Sequence, residues 1–133
     1  MKQKILFALF GLVLSLHSNA LAANVTKDYN YITAQALDSN YLSTAFTVEK
    51  LDKFSIHCAW TESSPTVAGT LKLQVSTNGT NYEDLAGMSV SVSGAGSQLF
   101  LVNAVSFRYV KVNYASSSGD GALTCDLHAV STN

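Results

Sequence analysis

An antiparallel all-β sandwich of about eight or nine strands is the fold this sequence predicts. Apolar and polar residues alternate with period 2 over one short segment after another, turn signals recur about every 8–12 residues, and no stretch sustains the i, i+3, i+4, i+7 stripe of a helix. A partly closed barrel satisfies the same pattern.

The first 22 residues stand apart. Lys2 and Lys4 precede an apolar run from Ile5 to Leu16, and Ala20-Leu21-Ala22 is an A-x-A cleavage site, so residues 1–22 are expected to be a removed export signal. A membrane span is the competing reading, but twelve residues at ~1.5 Å each cover about 18 Å of a ~30 Å hydrocarbon core. Residues 23–133 then form one domain, with no second apolar run long enough to span a membrane. Without Lys2 and Lys4, six basic residues face nine acidic ones, a net charge of −3 that disfavours nucleic acid and anionic lipid as partners. Only 13% of the chain is charged, about half the usual ~25%, while Ser, Thr and Asn are abundant, so the wet faces are mostly neutral.

From Ala23 to Asp28 nothing is periodic, and a mobile N-terminus is expected. Tyr29, Tyr31 and Thr33 form a weak strand pattern. After the Asp38-Ser39-Asn40 turn, Tyr41 to Val48 is a stronger one, anchored on Leu42, Phe46 and Val48. Lys53 to Thr61 alternates cleanly, with Phe54, Ile56, Cys58 and Trp60 on the inward face. Glu62-Ser63-Ser64-Pro65 ends it, because proline cannot donate to a ladder. Leu71, Leu73 and Val75 alternate with Lys72, Gln74 and Ser76. Asn78-Gly79 then turns the chain, and Tyr82 and Leu85 restart the apolar pattern, which reads as a hairpin.

Met88, Val90 and Val92 make a strand whose wet face is all serine, followed by a Gly94-Ala95-Gly96 turn. Leu99-Phe100-Leu101-Val102 is too short to separate a doubly buried strand from a core segment. Phe107 to Tyr114 puts Arg108, Val110, Val112 and Tyr114 on one face. Ser116 to Gly121 is a turn, and Leu123, Cys125, Leu127 and Ala129 line the apolar face of the last strand. The order of strands in each sheet is not readable from such local patterns.

Cys58 and Cys125 both fall on inward faces of an exported chain, so a disulfide is expected, with two buried thiols as the alternative. Closing that 67-residue loop would stabilise by about 4 kcal/mol on the chain-entropy account. If the two cysteines are directly opposed, His57 lies across from Asp126. The histidines show no HExxH spacing, the acids are scattered, Glu83-Asp84 point to opposite faces of a strand, and no GxSxG elbow occurs, so no catalytic site is expected. Asp120, Asp126 and Glu62 offer oxygen ligands for a loop calcium ion, but no calcium-loop pattern accompanies them, and no cofactor is expected.

The run Leu73-Gln74-Val75-Ser76-Thr77-Asn78-Gly79-Thr80-Asn81-Tyr82-Glu83-Asp84-Leu85, followed by Phe107-Arg108-Tyr109-Val110-Lys111-Val112, resembles discoidin-like modules of the galactose-binding-like fold. It is similar as well to related modules of phage particles and bacterial surface proteins. Asn78 stands where Asp is commoner in those families and Tyr82 where Trp is commoner. The resemblance implies a jelly-roll or discoidin-like sandwich and a glycan as ligand class. Sugar sites combine an aromatic platform with amides, hydroxyls and carboxylates, which makes Asn78, Asn81, Tyr82, Glu83 and Asp120 the candidate ligand-binding residues. The chain therefore reads as an exported, non-catalytic binding module for a glycan or surface protein, staying in the periplasm, on the cell surface or outside the cell. The alternative is a structural subunit that homo-oligomerises into an extracellular layer, fibre or virus-like particle.

Overall fold

The computed structural model describes residues 24–132, so the expected export signal lies outside the described residues. Nine strands form: β1 (Asn24–Ala36), β2 (Tyr41–Leu42), β3 (Phe46–Thr47), β4 (Lys53–Glu62), β5 (Ala68–Ser76), β6 (Glu83–Ser93), β7 (Gly96–Val102), β8 (Tyr109–Ser118) and β9 (Gly121–Thr132). No helix occurs among the described residues.

One sheet has the order β1-β9-β4-β7. The other runs β2-β8-β5-β6, with β3 continuing the β2 edge along β8. Every strand ladder among the described residues is antiparallel. Apart from the β2–β3 step and the β5–β6 hairpin, each connection crosses from one sheet to the other. That winding is a jelly roll, and the sheets do not close into a barrel.

The core lies between the sheets. Phe54, Ile56 and Trp60 of β4, Phe100 and Val102 of β7, and Leu123 and Leu127 of β9 face Leu71 and Leu73 of β5 and Val110, Val112 and Tyr114 of β8. These are the inward sets that the alternation on β4, β5 and β9 predicts. Cys58 and Cys125 are directly opposed on neighbouring strands and joined by a disulfide, Cα to Cα 4.1 Å. The same register sets His57 opposite Asp126 on the outer face.

Several expectations are corrected. The stretch after Ala23 is not a mobile tail from Asn24 onward: it pairs with β9 from Asn24↔Thr132. As an edge strand wet on most of both faces, β1 shows only the weak pattern at Tyr29, Tyr31 and Thr33. The Tyr41–Val48 strand breaks into β2 and β3, because the Ser43 hydroxyl accepts from the Val112 amide while the Ser43 amide still donates to the Val112 carbonyl. The break shifts the phase, so Ser43 is buried while Leu42 is 52% exposed. Arg108 does not share the buried face of Val110; it precedes β8 and pairs with Glu49 in solvent, Nε to Oε2 2.6 Å. The Ser116–Gly121 turn is shorter than expected, with β8 reaching Ser118 and β9 starting at Gly121. Gly119 fits there because its φ is +82° and a Cβ would stand 2.0 Å from the Thr66 carbonyl oxygen.

The topology does not single out discoidin-like modules among jelly rolls. The motifs behind that resemblance are a hairpin turn and one buried strand, local chemistry that many sandwiches need and that leaves sheet order unspecified.

Candidate functional site

The five candidate ligand residues divide between opposite ends of the sandwich. Asn78, Asn81, Tyr82 and Glu83 follow β5, near the start of β8, whereas Asp120 follows the end of β8. The ten residues of β8 separate the two groups by about 30 Å. Asn78, Asn81 and Glu83 line a shallow cleft with Val75, Ser76, Thr77 and Phe107.

Most of these groups already have partners. Asn78 Oδ1 accepts from the Thr80 and Asn81 amides, each at 2.9 Å, and the Ser76 hydroxyl accepts from the Gly79 amide at 2.9 Å. This is Asx-turn chemistry that holds the β5–β6 loop. The Tyr82 ring carries the Lys111 ammonium 4.1 Å from its centroid, so that side chain occupies a face a sugar would need. Asp120 Oδ1 accepts from the Gly121 amide at 2.7 Å, and its backbone joins the β4–β5 connection through Ser63 and Pro65. Glu62 lies beside Asp120, opposite Gly121, while Asp126 sits on the outer face of the β1-β9-β4-β7 sheet. Among the described residues, no group of three or more His, Cys, Asp or Glu side chains is placed to hold a metal ion.

Each outer face holds an open depression, one over Asp28, Ser55, His57, Asp126 and His128, the other over Leu42, Lys72, Asn113 and Ala115. On the β1-β9-β4-β7 sheet one cross-strand row reads Asp28, His128, Ser55, Leu101 and the next Asn30, Asp126, His57, Leu99. His128 Nδ1 lies 2.5 Å from Asp28 Oδ1. On the other sheet, Ser89, Lys72, Asn113 and Leu42 form one row, and Ser91, Thr70 and Ala115 the next. Lys72 is bound by Asp84 at 2.6 Å, and Gln74 donates to the same carboxylate at 2.8 Å. Those two donors, the ammonium first, hold the Asp84 carboxyl below its ordinary range.

The two lateral sides differ. At the β1/β2/β3 side, hydrogen bonds run from the Val112 amide to Ser43 Oγ (2.9 Å), from that hydroxyl to Tyr31 Oη (2.8 Å), and from Tyr31 Oη to the Thr44 carbonyl (2.7 Å). Burial raises the Tyr31 phenol to about 12, because the anion would lose water that the hydroxyl of Ser43 only partly replaces. Tyr29 and Tyr31 meet Phe46 edge-on, with centroids 4.9 and 5.7 Å apart. Tyr29 also borders a cleft of about 470 Å3 with Lys27, Thr47, Glu49, Lys50 and Ser131.

At the β6/β7 side an apolar cleft of about 560 Å3 opens between the sheets, lined by Leu85, Met88, Leu101, Val102 and Phe107 among others. Leu99 and Leu101 stand 48% and 52% exposed beside it. Sequence reasoning missed both sides. A serine inside an apolar strand pattern marked the first, and the charge-free run around Leu99 marked the second.

No protein-family model matches this chain, and no curated protein matches its sequence. Its fold is similar to the crystal structure of the SPBc2 prophage-derived protein YomS, at 16% identity and a TM-score of 0.53, covering 84% of this chain and 97% of that one. It is also similar to that of the PBSX exported protein XepA, at 17% identity and a TM-score of 0.56, covering 82% of this chain but only 37% of XepA. At these identities the likeness is one of fold, and it bears out the all-β sandwich.

Proposed function

We propose that this chain is an exported, non-catalytic structural subunit whose copies assemble into an extracellular layer, fibre or particle. The observation that carries this reading is the outer face of the β2-β8-β5-β6 sheet: Leu42, Gln74 and Lys111 apart, its rows are Ser, Thr, Asn and Ala, and its Lys72 and Asp84 neutralise each other. A broad surface with little net charge lacks the repulsion that keeps proteins apart in solution. The likeness to a protein described as exported supports export, which also suits a disulfide-bonded chain.

Light scattering on oxidised residues 23–133 across a concentration series tests the reading. Growth of the mass into large assemblies is expected. A monomer or dimer that stays constant would overturn it and return the search to ligands.

A glycan-binding module is the second reading, favoured by Tyr29, 36% exposed at the rim of a cleft with lysine, carboxylate and hydroxyl neighbours. A glycan array showing saturable binding that Tyr29→Ala abolishes would establish it.

A further inference from the structure

We infer that the free edge of β7 is where one copy of this chain pairs with a second copy, backbone to backbone, with Leu99 and Leu101 covering the outer side of the seam. The inference deepens the structural-subunit reading by naming its first contact, and in that sense rests on it.

A strand at the edge of a sheet presents unpaired N–H and C=O groups, and proteins blunt such edges with charges, bulges, proline or brevity. Three of the four edges here are blunted. β1 carries Lys27 and Asp28 and two register breaks, between Asn30 and Ile32 and between Ile32 and Gln35. β2 and β3 are two residues each. β6 carries Glu83 and Asp84 and a register break where it passes Lys72 and Gln74. The fourth edge has none of these devices. Gly96-Ser97-Gln98-Leu99-Phe100-Leu101-Val102 holds no charge and no proline, and it pairs with β4 in unbroken register from Trp60↔Gly96 to Phe54↔Val102.

Charge selects the occupant. Residues 23–133 carry a net charge of −3, so two copies repel over most approaches. A neutral strand facing its own neutral copy brings no like charges together, whereas β1 and β6 would each bring ionised side chains to the seam. Antiparallel pairing about a two-fold axis is the self-complementary arrangement. It would join two four-stranded sheets into one of eight.

Area sets the strength. A seven-residue ladder is about 23 Å long on a sheet edge about 10 Å thick, which gives a few hundred Å2 per copy. A stable dimer uses roughly 800 Å2 per partner, so the seam must extend over the adjoining apolar cleft of Leu85, Met88 and Phe107, and pairing through this edge is expected only at high concentration.

The test is light scattering on the wild type, on Leu99→Lys/Leu101→Lys and on Thr26→Lys. Both leucines of the double variant point to solvent in the single copy, so its melting temperature should stay at the wild-type value while concentration-dependent dimerisation is lost. Thr26→Lys, exposed on β1 at the opposite edge of the same sheet, should associate like the wild type. A double variant that associates like the wild type overturns the β7 contact and leaves the subunit reading intact. A wild type that stops at a dimer sensitive to the double substitution supports the contact and overturns the subunit reading. A wild-type monomer at every concentration overturns both. Should the double variant misfold, hydrogen exchange on the wild type decides: β7 amides not bonded to β4 should exchange several-fold more slowly in concentrated than in dilute protein, and equal rates overturn the contact.

Discussion

The two lateral sides of this sandwich meet the same requirement in opposite ways. Each must end two sheets without leaving backbone groups and apolar surface exposed to whatever comes by. The β1/β2/β3 side closes on itself: the relay from Val112 through Ser43 and Tyr31 to Thr44 satisfies its polar groups, and Phe46 lies under two tyrosine rings. The β6/β7 side stays open, with a long uncharged strand edge and two half-exposed leucines. Closure by internal bonds stabilises the single copy. An open edge does nothing for that copy and leaves bonding capacity for another.

The largest test strikes what the two sides share. The Cys58–Cys125 bond joins β4 to β9 in the middle of one sheet, so reduction should destabilise by up to about 4 kcal/mol and loosen both sides together. Denaturant unfolding with and without reductant measures this. An unchanged midpoint would mean that the sandwich does not depend on its centre.

A smaller effect separates the sides. Tyr31→Phe keeps the ring contact with Phe46 but removes the phenol's bonds to Ser43 and the Thr44 carbonyl, which keep their own bond at 3.0 Å, a loss of about 1 kcal/mol. For a sandwich of this size that lowers the melting temperature by roughly 4 °C per kcal/mol, whereas lysines at Leu99 and Leu101 should not lower it at all. Equal losses at both sides would erase the contrast.

Alkali sharpens the same point. The Tyr31 phenol is raised in the fold to about 12 from an ordinary 10.0, so its contribution is complete below about pH 10 and is lost as pH rises through 12. Unfolding midpoints followed from pH 9 to 12 should fall in the wild type more steeply than in Tyr31→Phe. The smallest effect belongs to the Glu49–Arg108 pair, which is solvent-exposed. Glu49→Gln should leave the thermal midpoint within error, because water and salt already screen that attraction.

How much of this was legible in the sequence depended on burial. β4 and β9 bury one face and wet the other, so alternation marked them and put both cysteines inward; the register that opposes Cys58 to Cys125 and His57 to Asp126 came from the structure. β1 is wet on most of both faces and left only the weak mark at Tyr29, Tyr31 and Thr33. Ser43 broke a strand through a bond to Val112, 69 residues away, which no local pattern announces. Asn78 was readable as turn chemistry because its partners are its neighbours in sequence. The Tyr82 ring face was not, because Lys111 covers it from β8.

By itself the sequence determined an all-β chain with its turns, most inward faces and a cysteine pair suited to a bridge, since side-chain period and turn propensity act over a few residues. Only the tertiary structure decided the jelly-roll order, and with it which strands became edges. Leu99-Phe100-Leu101-Val102 would be core in a central strand; with β4 on one side and no strand paired on the other, it is a sheet edge. Edge status depends on which strand packs alongside, and that neighbour is chosen by contacts between residues far apart in the chain.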